Sequence, residues 1–280
     1  MIPASFVYKR VSSVDEALRL LAEHGEDAKL LAGGHSLLPL MKFRFAAPEI
    51  LVDIGRLPEL RYVRDDDDVI AIGAMTRHQD VHTDPSVRAD VGLLAHVAGM
   101  VGDPQVRHRG TIGGSLAHAD PAADLPAAVV ALDATLVARG PGGSRRIPAR
   151  EFFLAQFTSA LEPDEILTEI RVPRQFDRGW GFQKFTRREI DWAIVGVAAL
   201  GGDSPAVGLI NMGETPLRAT AVEQALADGA DPAQAAEHAP EGTSPPDEPG
   251  AGAEYRRHLS MVLTARALEQ ALGRTPAGLR

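Results

Sequence analysis

The sequence predicts a mixed α and β chain organised in two parts, and three features carry that expectation. Short apolar runs that read as strands alternate with segments of helical spacing. Two glycine-rich segments, AGGHS at residues 32–36 and GTIGGS at residues 110–115, interrupt that alternation. The pattern then changes character near Pro173, where a domain boundary is placed. A length of 280 residues suits one large domain or two modest ones, and a hydrophobic fraction of 45% is enough for a sizeable core.

The first helix is signalled by Ser13 and Glu16, whose capping-box spacing lets each side chain satisfy the other's orphan backbone N–H. Ala17, Leu18 and Leu21 follow at helical spacing, and Gly25 fits the stop. Leu30 and Leu31 read as a strand that enters AGGHS, with a second helix from about Leu37. Residues 51–54 and 69–72 read as further strands, and the acidic run 65–68 as a solvated turn. Residues 76–100 are mostly helical in pattern, and another helix opens at Asp124 or just after it. Residues 135–138 and 165–172, and the alternation of Trp180, Phe182 and Phe185, read as strands. Residues 228–253 are rich in Ala, Pro, Gly, Asp and Glu and read as a long loop. A closing helix is placed over residues 253–272. Its apolar face of Tyr255, Leu259, Val262 and Leu263 packs either on its own domain or on a partner.

Composition narrows the function. A formal net charge of −9 disfavours nucleic acid, whose phosphates need clustered Lys and Arg, and the short basic run 107–109 does not reverse this. No apolar run reaches the ~18 residues of a membrane span, and the N-terminus lacks the pattern of a secretory signal, so the default expectation is cytoplasmic. With no cysteine, the chain holds no disulfide, no Cys-ligated zinc and no Cys-held iron–sulfur cluster. His78 and His82 are spaced i, i+4, but no further ligands complete a metal site, and none is expected.

Any chemistry therefore falls to the two glycine segments, although a GG pair taken alone is more often an ordinary turn. Glycines let backbone N–H groups converge on an anion, and a following helix adds its positive end. Two such loops can hold the two phosphates of a dinucleotide from opposite sides. Neither is a GxGxxG fingerprint nor a GxxxxGK[ST] loop, so a Rossmann NAD site and a P-loop nucleotidase are both unsupported.

AGGHSLLPLMKFR at 32–44 and RGTIGGSLAHADPAADLPAA at 109–128 resemble the paired FAD motifs of the flavin subunits of molybdenum hydroxylases. The similarity continues through 171–174, KFTRREIDWA at 184–193 and EYRRHLSMVLTARAL at 254–268, and is greatest to the medium chain of aerobic carbon monoxide dehydrogenases. The resemblance implies an α+β fold. A two-part FAD-binding domain of the vanillyl-alcohol-oxidase superfamily spans 1–173, with subdomains of about 1–55 and 56–173. A smaller C-terminal α/β domain with an antiparallel sheet spans 174–280.

Roles follow by position. Leu31, Ala32, Gly33, Gly34, His35 and Ser36 match the first phosphate loop, and Thr111, Gly113, Gly114 and Ser115 the second. Ser36, Thr111 and Ser115 offer hydroxyl donors, and His35 either touches the flavin or is an ordinary loop histidine. Asp124 matches an aspartate at the adenosine end of FAD, with a helix N-cap as the alternative. Lys184 matches a lysine near the flavin ring, which would raise its potential, and is otherwise a strand lysine. Leu167 is placed against the ring. Trp192, where relatives often carry tyrosine, either covers one ring face or is a core tryptophan. His108 departs from the asparagine expected in the RNRGT-like pattern.

The resemblance also implies partners: a large subunit with the molybdenum cofactor and a small subunit with [2Fe-2S] clusters, in a dimer of heterotrimers. Electrons would pass from the nearer cluster to FAD and on to a terminal acceptor, with no side chain acting as acid or base. A peripheral place at the inner face of the membrane stays open. The competing readings are a stand-alone FAD oxidase and a scaffold subunit that has lost FAD.

Overall fold

Residues 2–176 and 178–273 are described by a computed structural model. Its first 55 residues form a small parallel sheet. Strands β1 (Val7–Arg10), β2 (Ala28–Leu31) and β3 (Ile50–Asp53) lie in the order β1-β3-β2. Parallel neighbours need crossovers, which are α1 (Val14–His24) and α2 (Leu37–Phe43). Only half of the predicted capping box forms. Ser13 accepts the Glu16 N–H, but the Glu16 carboxylate takes both the N–H and the hydroxyl of Ser12, at 2.7 Å each. Ser12 offers that carboxylate two donors where Ser13 would offer one. Val14, Ala17, Leu18 and Leu21 bury against Val52 and Ile54 to close this subdomain's core.

The middle of the chain pairs an antiparallel sheet with a layer of short helices. Strands β4 (Val63–Asp66) and β5 (Val69–Gly73) make a hairpin that turns at Asp67, with φ 54°. The acidic run is less solvated than predicted: Asp66 pairs with Arg171 at 2.6 Å, and Asp65 with Arg174. The helical pattern of 76–100 resolves into α3 (His78–Thr83), α4 (Pro85–Asp90) and α5 (Gly92–Gly99). It breaks there because Asp84 caps a new helix whose first residue is Pro85. Helices α6 (Pro104–Arg109), α7 (Ile112–His118) and α8 (Asp124–Ala131) follow, and every residue of α8 is buried. Strands β6 (Thr135–Gly140) and β7 (Gly143–Pro148), helix α9 (Ala149–Phe152), the β8 (Phe153–Ala155) and β9 (Thr158–Ser159) ribbon, and β10 (Ile166–Pro173) complete the part. Its sheet order is β4-β5-β10-β6-β7, with a bulge in β10 between Leu167 and Glu169.

The last part is an antiparallel sheet of β11 (Trp180–Phe185), β12 (Val195–Leu200), β13 (Ala206–Ile210) and β14 (Leu217–Arg218) in sequence order. It is covered on both faces, which is why β12 reads as an unbroken apolar run. Ala198 and Leu200 join the core of the middle part, whereas Val195, Val197 and Ala199 face α10 (Thr220–Ala227), α11 (Pro232–Ala236) and α12 (Ala253–Ala271). The predicted loop 228–253 is therefore partly ordered structure. Asp231 and Gln234 form a full capping box on α11, and Ala235 and Ala239 enter the core. The face of α12 also differs from its expectation: Tyr255 is 44% exposed, while Arg256 is buried. Arg256 donates to the Ala251 and Ile194 carbonyls and to Glu248, so its charge is paired inside the domain. Hydrophobicity along the sequence cannot reveal such a paired arginine. Among the described residues no helix is long and apolar enough to cross a membrane.

Candidate functional site

The C-terminal ends of parallel strands are where α/β sheets present ligand sites. Strand β2 delivers the first glycine segment there, and α2 starts just after it. Gly34 takes φ 80°, a conformation that a side chain would strain. The first helical bond of α2 runs from the Leu38 N–H to the Gly34 carbonyl (3.2 Å), so the N–H groups before it are not used by the helix. Ser36 makes no capping bond with its side chain, which leaves its hydroxyl available.

The second glycine segment is built differently from its prediction. Gly113 and Gly114 lie inside the first turn of α7, not in a loop before it. The N–H groups of Ile112 and Gly113 donate to Thr76 and Ala74, that of Ser115 to the Thr111 carbonyl, and that of Gly114 to Thr111 Oγ1 at 3.1 Å. These four donors are spent within the protein. What this segment offers is close approach. A Cβ on Gly33 would overlap the Arg109 carbonyl oxygen and reach within 2.8 Å of Gly110 Cα, so the two segments touch backbone to backbone. A Cβ on Gly113 would meet Ala74 O at 2.6 Å. Thr111 is the N-cap, and its hydroxyl proton stays free to donate.

Between the two segments opens a cavity of about 890 Å³, near the top of the range of roughly 300–1,000 Å³ for small-molecule sites. Ala32, Gly33, Gly34, His35, Ser36, Thr111, Gly113, Gly114, Ser115, Asp124, Leu167, Lys184 and Trp192 all line it. Leu31 does not: it lines a separate pocket behind the segment. Three elements from different parts of the chain thus converge on one space. Several further residues line it that no sequence pattern ties to the glycine segments. His78 and Phe157 arrive from separate elements, and Ile190, 56% exposed, sits two residues before Trp192.

Asp124 and Lys184 form one unit, with Lys184 Nζ 2.8 Å from Asp124 Oδ2 and both side chains buried. The two side chains thus meet in one place, whereas the resemblance assigns them to different parts of the ligand. Asp124 is the first residue of α8 and makes no capping bond, so the N-cap alternative fails as well. Its Oδ1 is buried without a partner. Burial pushes the Asp124 carboxyl up to about 6 against the opposing pull of the Lys184 ammonium. Trp192 is 59% exposed and is not a core residue.

Two histidines of the cavity, His78 and His35, are disfavoured as cations. Burial holds His78 down to about 4, and burial with the nearby Arg109 guanidinium lowers His35. His78 and His82 both lie on α3, but His82 Nδ1 is bonded to the Ala95 carbonyl at 2.9 Å. No group of three or more metal-ligating side chains occurs among the described residues.

Comparison with known proteins matches this architecture. The family described as "FAD binding domain in molybdopterin dehydrogenase" matches residues 4–175, and the "CO dehydrogenase flavoprotein C-terminal domain" matches residues 180–271. The carbon monoxide dehydrogenase medium chain of Hydrogenophaga pseudoflava is 41% identical, over 98% of this chain and 99% of that one. The 6-hydroxypseudooxynicotine dehydrogenase complex subunit alpha of Paenarthrobacter nicotinovorans is 42% identical, over 98% and 97%. A solved carbon monoxide dehydrogenase of H. pseudoflava superimposes with a TM-score of 0.94 at 43% identity, covering 99% of this chain and 100% of that chain. The chain belongs to the FAD-binding medium subunits of the molybdopterin dehydrogenases, within the carbon monoxide dehydrogenase medium-chain family.

Proposed function

We propose that this chain is the electron relay of a molybdenum hydroxylase: its FAD takes electrons from iron–sulfur clusters on a small partner and passes them to a terminal acceptor. The observation that carries this reading is the single cavity that gathers both glycine segments with Asp124, Lys184 and Trp192. The residues suit FAD. The approach at Gly33 leaves no room for a Cβ, the N–H groups before α2 are open to phosphate, and Asp124 Oδ1 lacks a partner. FAD supplies reversible electron acceptance when bound. The chain's own residues do the rest. The first segment and the Ser36, Thr111 and Ser115 hydroxyls grip the pyrophosphate, the Asp124–Lys184 pair fixes the polar part of the ligand, and Trp192 shields it from water. Residues 1–173 hold the cofactor through subdomains 1–55 and 56–173, and 174–280 supplies Lys184 and Trp192. A molybdenum-bearing large partner oxidises the substrate, in a dimer of heterotrimers.

The isolated chain should not oxidise a molybdenum-hydroxylase substrate, and its flavin absorbance should bleach only when the partners and substrate are added. Anaerobic stopped-flow reads both. Rapid bleaching of the isolated chain would instead establish a stand-alone oxidase. No bleaching in the assembled complex would remove the relay role.

A milder change than one at Gly33 tests the second segment. The nearest atoms to a Cβ on Gly114 are Thr111 Oγ1, at 2.7 Å, and Ala32 Cβ, at 3.5 Å. Gly114→Val should therefore displace the Thr111 cap and crowd the cavity, at a cost of about 1 kcal/mol in stability. Purified Gly114→Val should carry little flavin and still unfold cooperatively. Full flavin content would exclude this segment from the site.

A further inference from the structure

Behind the first glycine segment lies a second pocket of about 280 Å³, lined by Tyr8, Leu31, Asp53 and four arginines: Arg10, Arg56, Arg77 and Arg109. Leu31 faces this side, and Ala32 borders both pockets. Two carboxylates act on Arg77. Asp53 is already engaged by the Tyr8 hydroxyl and by the Gly55 N–H at 2.7 Å, with Arg10 Nε at 4.0 Å. Asp80 is held by Arg61 at 2.7 Å. The pocket lining itself carries four guanidinium groups and one carboxylate, on a chain whose net charge is −9. Arg77 is drawn partly out of water, donates to the Arg109 carbonyl, and is crowded by the Arg109 and Arg61 guanidinium groups. Arg10, Arg56 and Arg109 are exposed, so solvent screens their mutual repulsion, but an anion entering the concave space would meet several guanidinium groups at once.

The pocket continues onto an uncovered edge. Strand β1 is the outer strand of its sheet, and all four of its residues are exposed. Phe6, Val7 and Tyr8 are 39%, 50% and 45% exposed, and Tyr8 also lines the arginine pocket. An open edge strand needs cover in a stable assembly. Tyrosine and arginine beside apolar side chains are the composition of a protein interface centre.

We propose that this face, β1 together with the arginine pocket, docks a partner chain of the hydroxylase complex that inserts an acidic side chain between Arg10, Arg56 and Arg109. The inference rests on the reading of this chain as a subunit, and it assigns the place and the chemistry of the contact. Arg10 and Arg56 are exposed and lie outside the cofactor cavity, so their replacement leaves the flavin site intact.

The test is co-expression with the partner chains, followed by size-exclusion chromatography with absorbance read at the flavin band. The variant is Arg10→Glu/Arg56→Glu, and the control is Arg146→Glu/Arg257→Glu, the same charge change at exposed positions elsewhere. The expected result is that the variant keeps its flavin and melts as the wild type does, yet elutes alone, with assembly on the order of a hundredfold weaker. The control should assemble normally, and wild-type assembly should weaken as salt is raised. Normal assembly of the variant, or equal loss in the control, overturns the proposal. So does normal assembly combined with a pyrophosphate-induced melting shift that the variant lacks, because a small oxyanion would then own the pocket. If the wild type itself does not assemble, the subunit reading fails and the docking face with it, whereas loss of flavin alone bears only on the cofactor site.

Discussion

Gly33→Ala should yield a folded chain without flavin. An added methyl at this position would overlap the Arg109 carbonyl oxygen and lie 2.8 Å from Gly110 Cα, and both are backbone atoms that no rotamer change can move aside. The two glycine segments must separate. Overpacking of this kind costs roughly 1–3 kcal/mol, against about 5–15 kcal/mol of stability in an ordinary domain, so the fold survives. The ligand does not tolerate the same shift. Two hydrogen bonds to a charged phosphate are worth about 3 kcal/mol or more together, which is on the order of a hundredfold in affinity. Flavin absorbance per chain after desalting, beside a circular dichroism melt, measures both effects. A variant that stays fully yellow would mean that the cofactor does not depend on the contact between these segments.

How much of this was legible in the sequence depended on the range of the interactions. Strand β2, the AGGHS turn and α2 are local, and each was placed by its own residues. The convergence of Ala32, Thr111, Asp124, Lys184 and Trp192 on one cavity spans more than 150 positions, and only the resemblance to a family pointed to it. Pattern misled where one residue type has two structural uses. The second GG pair has the pattern of a free phosphate loop, but the donors of residues 112–115 are taken by Thr76, Ala74 and Thr111, and the glycines serve close packing instead. Hydrophobicity places Tyr255 on the apolar face of the last helix, yet it is 44% exposed, and the neighbouring Arg256 is the buried residue, its charge met by Glu248. The resemblance assigns Asp124 and Lys184 separate roles, and a sequence separation of 60 carries no sign that the two side chains touch.

That contact yields the second large effect. Lys184→Met should destabilise the chain by about 3 kcal/mol near neutral pH, because removing one partner of a buried ion pair leaves the other uncompensated. The loss should depend on pH in a definite direction. The Asp124 carboxyl already sits at about 6 in the folded chain, above its ordinary value of 3.8, because burial outweighs the Lys184 ammonium that pulls it down. Without that ammonium it must rise further. A carboxyl whose folded pKa is raised binds its proton more tightly when folded. Its contribution is fully present below the unfolded value near 4 and is lost as pH rises through the folded value. The variant should therefore lie closest to wild type near pH 5 and fall furthest behind at pH 8. Adding Asp124→Asn should recover most of the difference at pH 8, since a neutral amide needs no cation, and the two changes should be strongly non-additive. Chemical denaturation of the apo-protein at pH 5 and pH 8, for the wild type, both single variants and the double, measures the cycle. A Lys184→Met penalty that is the same at both pH values, or additive with Asp124→Asn, would show that the pair is not coupled as its 2.8 Å contact implies.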